Sequence, residues 1–164
     1  MPQPAPAVLH LLCGKIAAGK STLTRQLAQQ PDTLVISEDH WLSRLYGEDM
    51  TCVADYVRYS GRLRATLQPH LVSLLRAGLS VVLDFPANTI ASRAWMRTLF
   101  EEAGVAHQLH FLDVPDEVCR ARLRARNASG EHDFAATDAQ FDLITRHFVA
   151  PSADEGFHVI MHRS

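Results

Sequence analysis

The stretch from Gly14 to Ser21, GKIAAGKS, constrains this chain more than any other. Its two glycines bracket four residues and are followed at once by a lysine and a serine. The stretch lies between an apolar run, Ala7 to Cys13, and a segment from Lys20 to Gln29 that reads as a helix. A strand that ends in such a loop and opens a helix builds an anion cradle. The glycines admit the backbone angles that turn successive N–H groups inward, and the helix N-terminus adds partial positive charge. The spacing predicts a triphosphate site formed by Gly14, Lys15, Ile16, Ala17, Ala18, Gly19, Lys20, Ser21 and Thr22. In it Lys20 would neutralise the β- and γ-phosphates, the Ser21 hydroxyl would ligate Mg2+, and Thr22 would donate to a phosphate.

The rest of the chain alternates between strand and helix patterns. Thr33 to Ser37, Leu79 to Asp84, His107 to Val114 and Gly156 to His162 are short apolar runs suited to buried strands. Between them, Tyr56, Tyr59, Leu63, Leu67, Leu71 and Leu75 recur at helical intervals over 55–78, with Gly61 and Pro69 expected to bend or split that helix. Further helices are read over 92–102, 115–126 and 137–148, with a loop over 127–133. Such alternation predicts an α/β fold, a parallel sheet with helices on both faces.

At 164 residues and 47% hydrophobic content, the chain is expected to form a single domain over 1–164, with 1–6 as a flexible proline-rich head. A net charge of -2 provides no global field for nucleic acid or an anionic surface, so an anion site must be local. Cys13, Cys52 and Cys119 are odd in number and in no paired spacing, which fits reduced packing residues of a cytoplasmic protein. The head lacks the pattern of an export leader, and no run of about 18 apolar residues predicts a membrane span. No protein partner is evident. The nine histidines form no recognisable metal set: His107 and His110 point to opposite faces of a strand, and His158 and His162 lack a third ligand.

Several classes of protein share a triphosphate loop. A guanine switch should carry a base-reading N-K-x-D after its fourth strand, where this chain has LDVPDE. A motor ATPase should end a strand in Asp-Glu, where this chain has Asp84-Phe85. Phosphoryl transfer, or nucleotide sensing without chemistry, remains. Transfer needs a carboxylate near the γ-phosphate. Asp39, two residues beyond the second strand and flanked by Glu38 and His40, is the candidate; as a sequence it serves equally as a helix N-cap. Asp84, at the carboxyl end of the third strand, would support Mg2+ or orient the acceptor, or else cap the strand end. Asn88 is a candidate acceptor or phosphate contact, or an ordinary turn residue. In PDEVCRARLRARN, Arg122 and Arg126 share one helical face, and Arg120 and Arg124 another. The first pair suits a lid over about 116–136 that closes on the transferring phosphate, or simply a solvated cationic face.

The ordered set GKIAAGKST, ISEDHW, VVLDFPANT, FLDVP and RARLRARN resembles the P-loop kinases of the polynucleotide kinase and zeta-toxin type, a group that includes chloramphenicol phosphotransferase and gluconate kinase. The resemblance spans about residues 7–127. It implies a three-layer P-loop NTPase fold with five parallel strands in the order 2-3-1-4-5 and a short arginine-bearing lid. It also implies ATP and Mg2+ as cofactors, Asp39 as general base, Asp84 as the acid after the third strand, and Lys20, Arg122 and Arg126 as catalytic cations. The chain departs from polynucleotide kinases around Asp39, where Glu38 and Leu42 replace basic residues, which argues against nucleic acid as acceptor. Trp41, Tyr46, Tyr56 and Tyr59 could instead shape a pocket for a small hydroxyl compound, although the two later tyrosines also suit core packing. The implied activity is transfer of the ATP γ-phosphate to a small-molecule hydroxyl, with Asp39, Asp84 and Asn88 on the acceptor. A non-catalytic ATP-binding regulator, a toxin-like kinase and a nucleic-acid 5'-hydroxyl kinase are the alternatives.

Overall fold

The computed structural model describes residues 6–129 and 137–163. Most of the proline-rich head and residues 130–136 of the expected lid lie outside the described residues. Five strands, β1 (Val8–Cys13), β2 (Thr33–Ser37), β3 (Ser80–Pro86), β4 (Ala106–Asp113) and β5 (Val159–Arg163), form one sheet in the order β2-β3-β1-β4-β5. Every pairing is parallel, so the order implied by the resemblance is the one observed. Central β1 and β3 are nearly continuous in buried apolar residues because helices cover both faces.

Period-2 alternation divides the core. Leu9, Leu11 and Cys13 of β1 face a large cluster with Leu63, Leu67, Leu71 and Leu75 of α3 (Val53–Arg76) and Met96, Leu99 and Phe100 of α4 (Ile90–Ala103). On the other face, Leu12 meets Val82 and Leu27 of α1 (Lys20–Leu27). Nearby, Leu112 and Val114 pack with Cys119 and Leu123 of α5 (Asp116–Ser129) and Phe141 of α6 (Asp138–Arg146). Helix ends follow local chemistry. Thr89 caps α4 by accepting from Ser92 N at 3.1 Å, Gly104 closes it at φ 69°, and Thr137 and Gln140 form a capping box on α6.

Three expectations need correction. The long helix is not split: α3 runs 24 residues through Gly61 and Pro69. Both residues are exposed, so the hydrogen bond that proline forfeits falls on the solvent side while the leucine stripe stays buried. The arginine-rich helix continues to Ser129, absorbing part of the expected loop. Cys13 and Cys119 are buried as packing residues, but Cys52 is exposed at the start of α3.

Candidate active site

The carboxyl ends of β1, β2 and β3 place the loop, Asp39 and Asp84 at one edge of the sheet, where an open parallel sheet opens its crevice. The loop between β1 and α1 departs from ordinary backbone angles at Ala17, φ 64°, and Gly19, φ 109°. Left-handed residues among right-handed ones gather N–H groups into an anion nest. Space is tight at Gly14 as well: a Cβ there would come within 3.2 Å of the Ala18 and Leu112 side chains. Lys20 Nζ donates to the carbonyls of Gly14 at 2.5 Å and Lys15 at 2.9 Å. Lys15 itself pairs with Asp116 at the start of α5 and lies over the Phe148 ring.

Asp39 stands in the first turn of α2 (Glu38–Tyr46) and is not its cap. Ser37 takes that role, its hydroxyl accepting from His40 N at 3.4 Å, which leaves the Asp39 carboxylate for other work. Burial first, then the charges of Glu38 and Asp84, push its carboxyl up to about 6, while Lys20 and Arg126 pull it down. The side chain is exposed beside the loop, with the two neighbouring carboxylates acting on it. Asp84 is raised by burial as well, opposed by Lys20 and by a hydrogen bond from Ser37. Burial lowers the Lys20 ammonium, and Asp84 and Asp39 hold it up. Lys20, Asp39 and Asp84 thus form one electrostatic unit.

The two arginine faces of α5 separate as the spacing predicts. Arg120 pairs with Asp142 and Arg124 with Asp138 at 2.8 Å, both on α6. Arg122 turns to the loop, its Nη1 donating to the Ala18 carbonyl at 3.3 Å, and the charge of Arg126 acts on Asp39.

Asn88 contacts the loop itself. Its amide clamps the loop: Gly14 N donates to Oδ1 and Nδ2 donates to Gly14 O, each at 2.9 Å. The Tyr56 hydroxyl donates to Glu38, and its ring packs against the large core cluster. Tyr46 and Tyr59 stack on each other with centroids 4.2 Å apart, and Trp41 is exposed on α2.

Glu38 is a residue whose place the motif did not disclose. It is fully buried, accepting from Tyr56, from Ser60 at 2.8 Å and from Arg64 at 3.4 Å. Arg64 lies over the rings of Trp95 and Phe85. Arg93 was likewise not singled out. It is fully buried and donates to the Ala87 and Val149 carbonyls at 2.9 and 2.7 Å and to Glu155 at 2.8 Å. It ties the segment before β5 to the end of β3. Neither partnership has a local pattern, because each joins residues far apart in the chain.

For Mg2+, the fitting donors are the Ser21 hydroxyl at the first turn of α1 and the Asp84 carboxylate beside Lys20, both hard oxygen donors. Among the described residues no group of three or more His, Cys, Asp or Glu side chains could hold an ion alone. A protein site of few ligands completed by phosphate oxygens is the kind Mg2+ uses.

Fold and loop together define a P-loop kinase, an ATP-binding transferase domain. The chain belongs to the AAA domain family, whose match spans residues 9–151. An adenylyl-sulfate kinase of Myxococcus xanthus (strain DK1622) is 31% identical over 153 residues, covering 88% of this chain and 77% of its own. A candidate kinase from Chloroflexus aurantiacus superimposes with a TM-score of 0.74 at 20% identity, over 99% of this chain and 87% of its own. The APS kinase of Mycobacterium tuberculosis, solved with AMPPNP and APS, superimposes at 0.61 with 20% identity, over 98% of this chain and 90% of its own. At these identities the structural matches carry the fold. No helix among the described residues is long and apolar enough to cross a membrane.

Proposed function

We propose that this chain transfers the γ-phosphate of ATP, with Mg2+, to a hydroxyl of a small molecule. The observation that carries the reading is the convergence of Asp39 and Asp84 on Lys20 beside the loop. Asp39 accepts the proton of the acceptor hydroxyl, the acceptor oxygen bonds to the γ-phosphorus, and the bond to the β–γ bridging oxygen breaks to release ADP. A carboxyl near 6 suits this work, being ionised at neutral pH yet more basic than an ordinary aspartate. Lys20, Arg122 and Arg126 supply positive charge around the transferring group, the kind of stabilisation on which this chemistry mainly depends. Ser21 and Asp84 hold Mg2+, which neutralises phosphate charge when bound.

The relative named adenylyl-sulfate kinase makes adenylyl sulfate the first acceptor to try. ADP release should be followed with ATP, Mg2+ and, separately, adenylyl sulfate, polyols and sugars, nucleosides, and a 5'-hydroxyl oligonucleotide. Stimulation by a small hydroxyl compound supports the reading. Stimulation by the oligonucleotide alone would replace it with a nucleic-acid kinase.

A further inference from the structure

Three histidines form a continuous hydrogen-bonded chain across the sheet. His10 Nδ1 lies 3.0 Å from His110 Nε2, and His110 Nδ1 lies 3.0 Å from His162 Nε2. They belong to the adjacent strands β1, β4 and β5. His10 is paired in register with Gln108 and His110 with Ile160, so each next histidine sits two residues further on. The chain therefore climbs diagonally toward the carboxyl ends of the strands. His10 and His110 are each only 3% exposed, whereas His162 lines a cavity of about 390 Å3.

That cavity opens directly off the phosphate loop. Its wall includes Gly19, Thr22, Leu112, Val114, Arg122 and Arg163. Its volume falls within the range of about 300–1,000 Å3 common to small-ligand sites. A ligand whose phosphates occupy the loop nest and whose remainder enters this cavity presents its nucleoside there. The lining suits such a group: leucine and valine cover apolar ring faces, and a planar guanidinium such as that of Arg163 stacks on aromatic rings.

The histidine chain limits what His162 can offer. A neutral imidazole has one donor and one acceptor nitrogen. Burial, then the neighbouring His10 and His162, hold His110 down at about 4, so it is neutral at physiological pH. With all three rings neutral, both hydrogen bonds are satisfied by two tautomer sets. In one, every proton points toward His162, whose Nδ1 then carries a hydrogen and is a donor; in the other, every proton points toward His10 and the His162 Nδ1 is an acceptor. In both, Nε2 of His162 is committed to His110 and only Nδ1 serves a ligand.

We propose that His162 is a donor-specificity residue whose Nδ1 hydrogen-bonds the nucleoside half of the phosphoryl donor, and that His10 and His110 position its ring and couple its tautomer to their own. This rests on the loop being the triphosphate site. Calorimetric titration of the whole protein with ATP and with inorganic tripolyphosphate separates the two claims. His162→Phe is expected to weaken ATP about tenfold, roughly one net hydrogen bond, with tripolyphosphate affinity unchanged. His162→Asn, with an amide near the Nδ1 position, retains most of the ATP affinity. In ring-15N spectra, ATP shifts the His162 Nδ1 resonance and tripolyphosphate does not, and His110→Phe, which removes the partner of Nε2, shifts the His162 Nε2 resonance of the free protein. Unchanged ATP affinity in His162→Phe, or an equal loss for tripolyphosphate, would overturn the assignment while leaving the loop intact. Failure of wild-type protein to bind either compound would overturn the loop reading and this inference together.

Discussion

Asn88 and Gly14 share two reciprocal hydrogen bonds of 2.9 Å, one in each direction, between the side-chain amide of one and the backbone of the other. The start of β1's loop is thereby fixed to the end of β3, and the phosphate nest inherits the rigidity of the sheet. Asn88→Ala leaves a Gly14 N–H and C=O without these partners, at a cost of about 1–3 kcal/mol. Chemical denaturation should read that loss, and ATP should bind about tenfold more weakly because the loop must be ordered on binding. Unaltered stability and affinity would show that the clamp contributes nothing to the nest.

Asp39 and Glu38 are adjacent carboxylates with opposite placements, one open to the cleft and one fully buried. Because the Asp39 carboxyl titrates at about 6, kcat/KM should fall as pH drops below that value. Glu38→Gln removes a negative charge that raises Asp39, so the acid limb should move to lower pH. A limb that stays in place or moves upward contradicts the electrostatic coupling.

The same shift has a consequence for folding. The folded carboxyl, at about 6, lies above its ordinary value of 3.8, so between these values the folded state holds more protons than the unfolded. The stability this group contributes is complete below about 4 and is lost as pH rises through 6. Asp39→Asn should accordingly raise the Tm more at pH 8 than at pH 4. Equal shifts at both values would remove the linkage.

Arg93 is a fully buried cation paired with Glu155 and hydrogen-bonded to three backbone carbonyls, those of Ala87, Val149 and Ala150. Arg93→Met should destabilise the fold by about 3–5 kcal/mol, since it strands Glu155 and these carbonyls. Urea unfolding measures it, and a loss below about 1 kcal/mol would mean that water replaces the guanidinium freely.

The sheet was readable because its signals are local or ordered along the chain: apolar runs of strand length, a loop of fixed spacing, and arginines four apart on one face. The observed partition of Arg122 and Arg126 from Arg120 and Arg124 follows from helical period alone. The setting of Asp39 was not readable, because its buried neighbour Glu38 is held by Tyr56, Ser60 and Arg64 of a different helix. The Asn88 contact with Gly14 was not readable for the same reason, the two lying 74 residues apart. The histidines were compared within single strands, where His107 and His110 diverge, while the contacts that join His10, His110 and His162 run between strands and require the register. That Pro69 does not split α3 was not readable, because sequence does not say which side of a helix faces water.

The central claim is that Asp39 takes the acceptor proton. Acceptor-stimulated ADP formation should be compared in wild type and Asp39→Asn at pH 7.5, with ATP affinity measured on the same preparations. Turnover is predicted to fall by about 10^2 or more while ATP affinity stays within about twofold. Turnover that survives the substitution would remove Asp39 from the chemistry and with it the kinase mechanism described for this site.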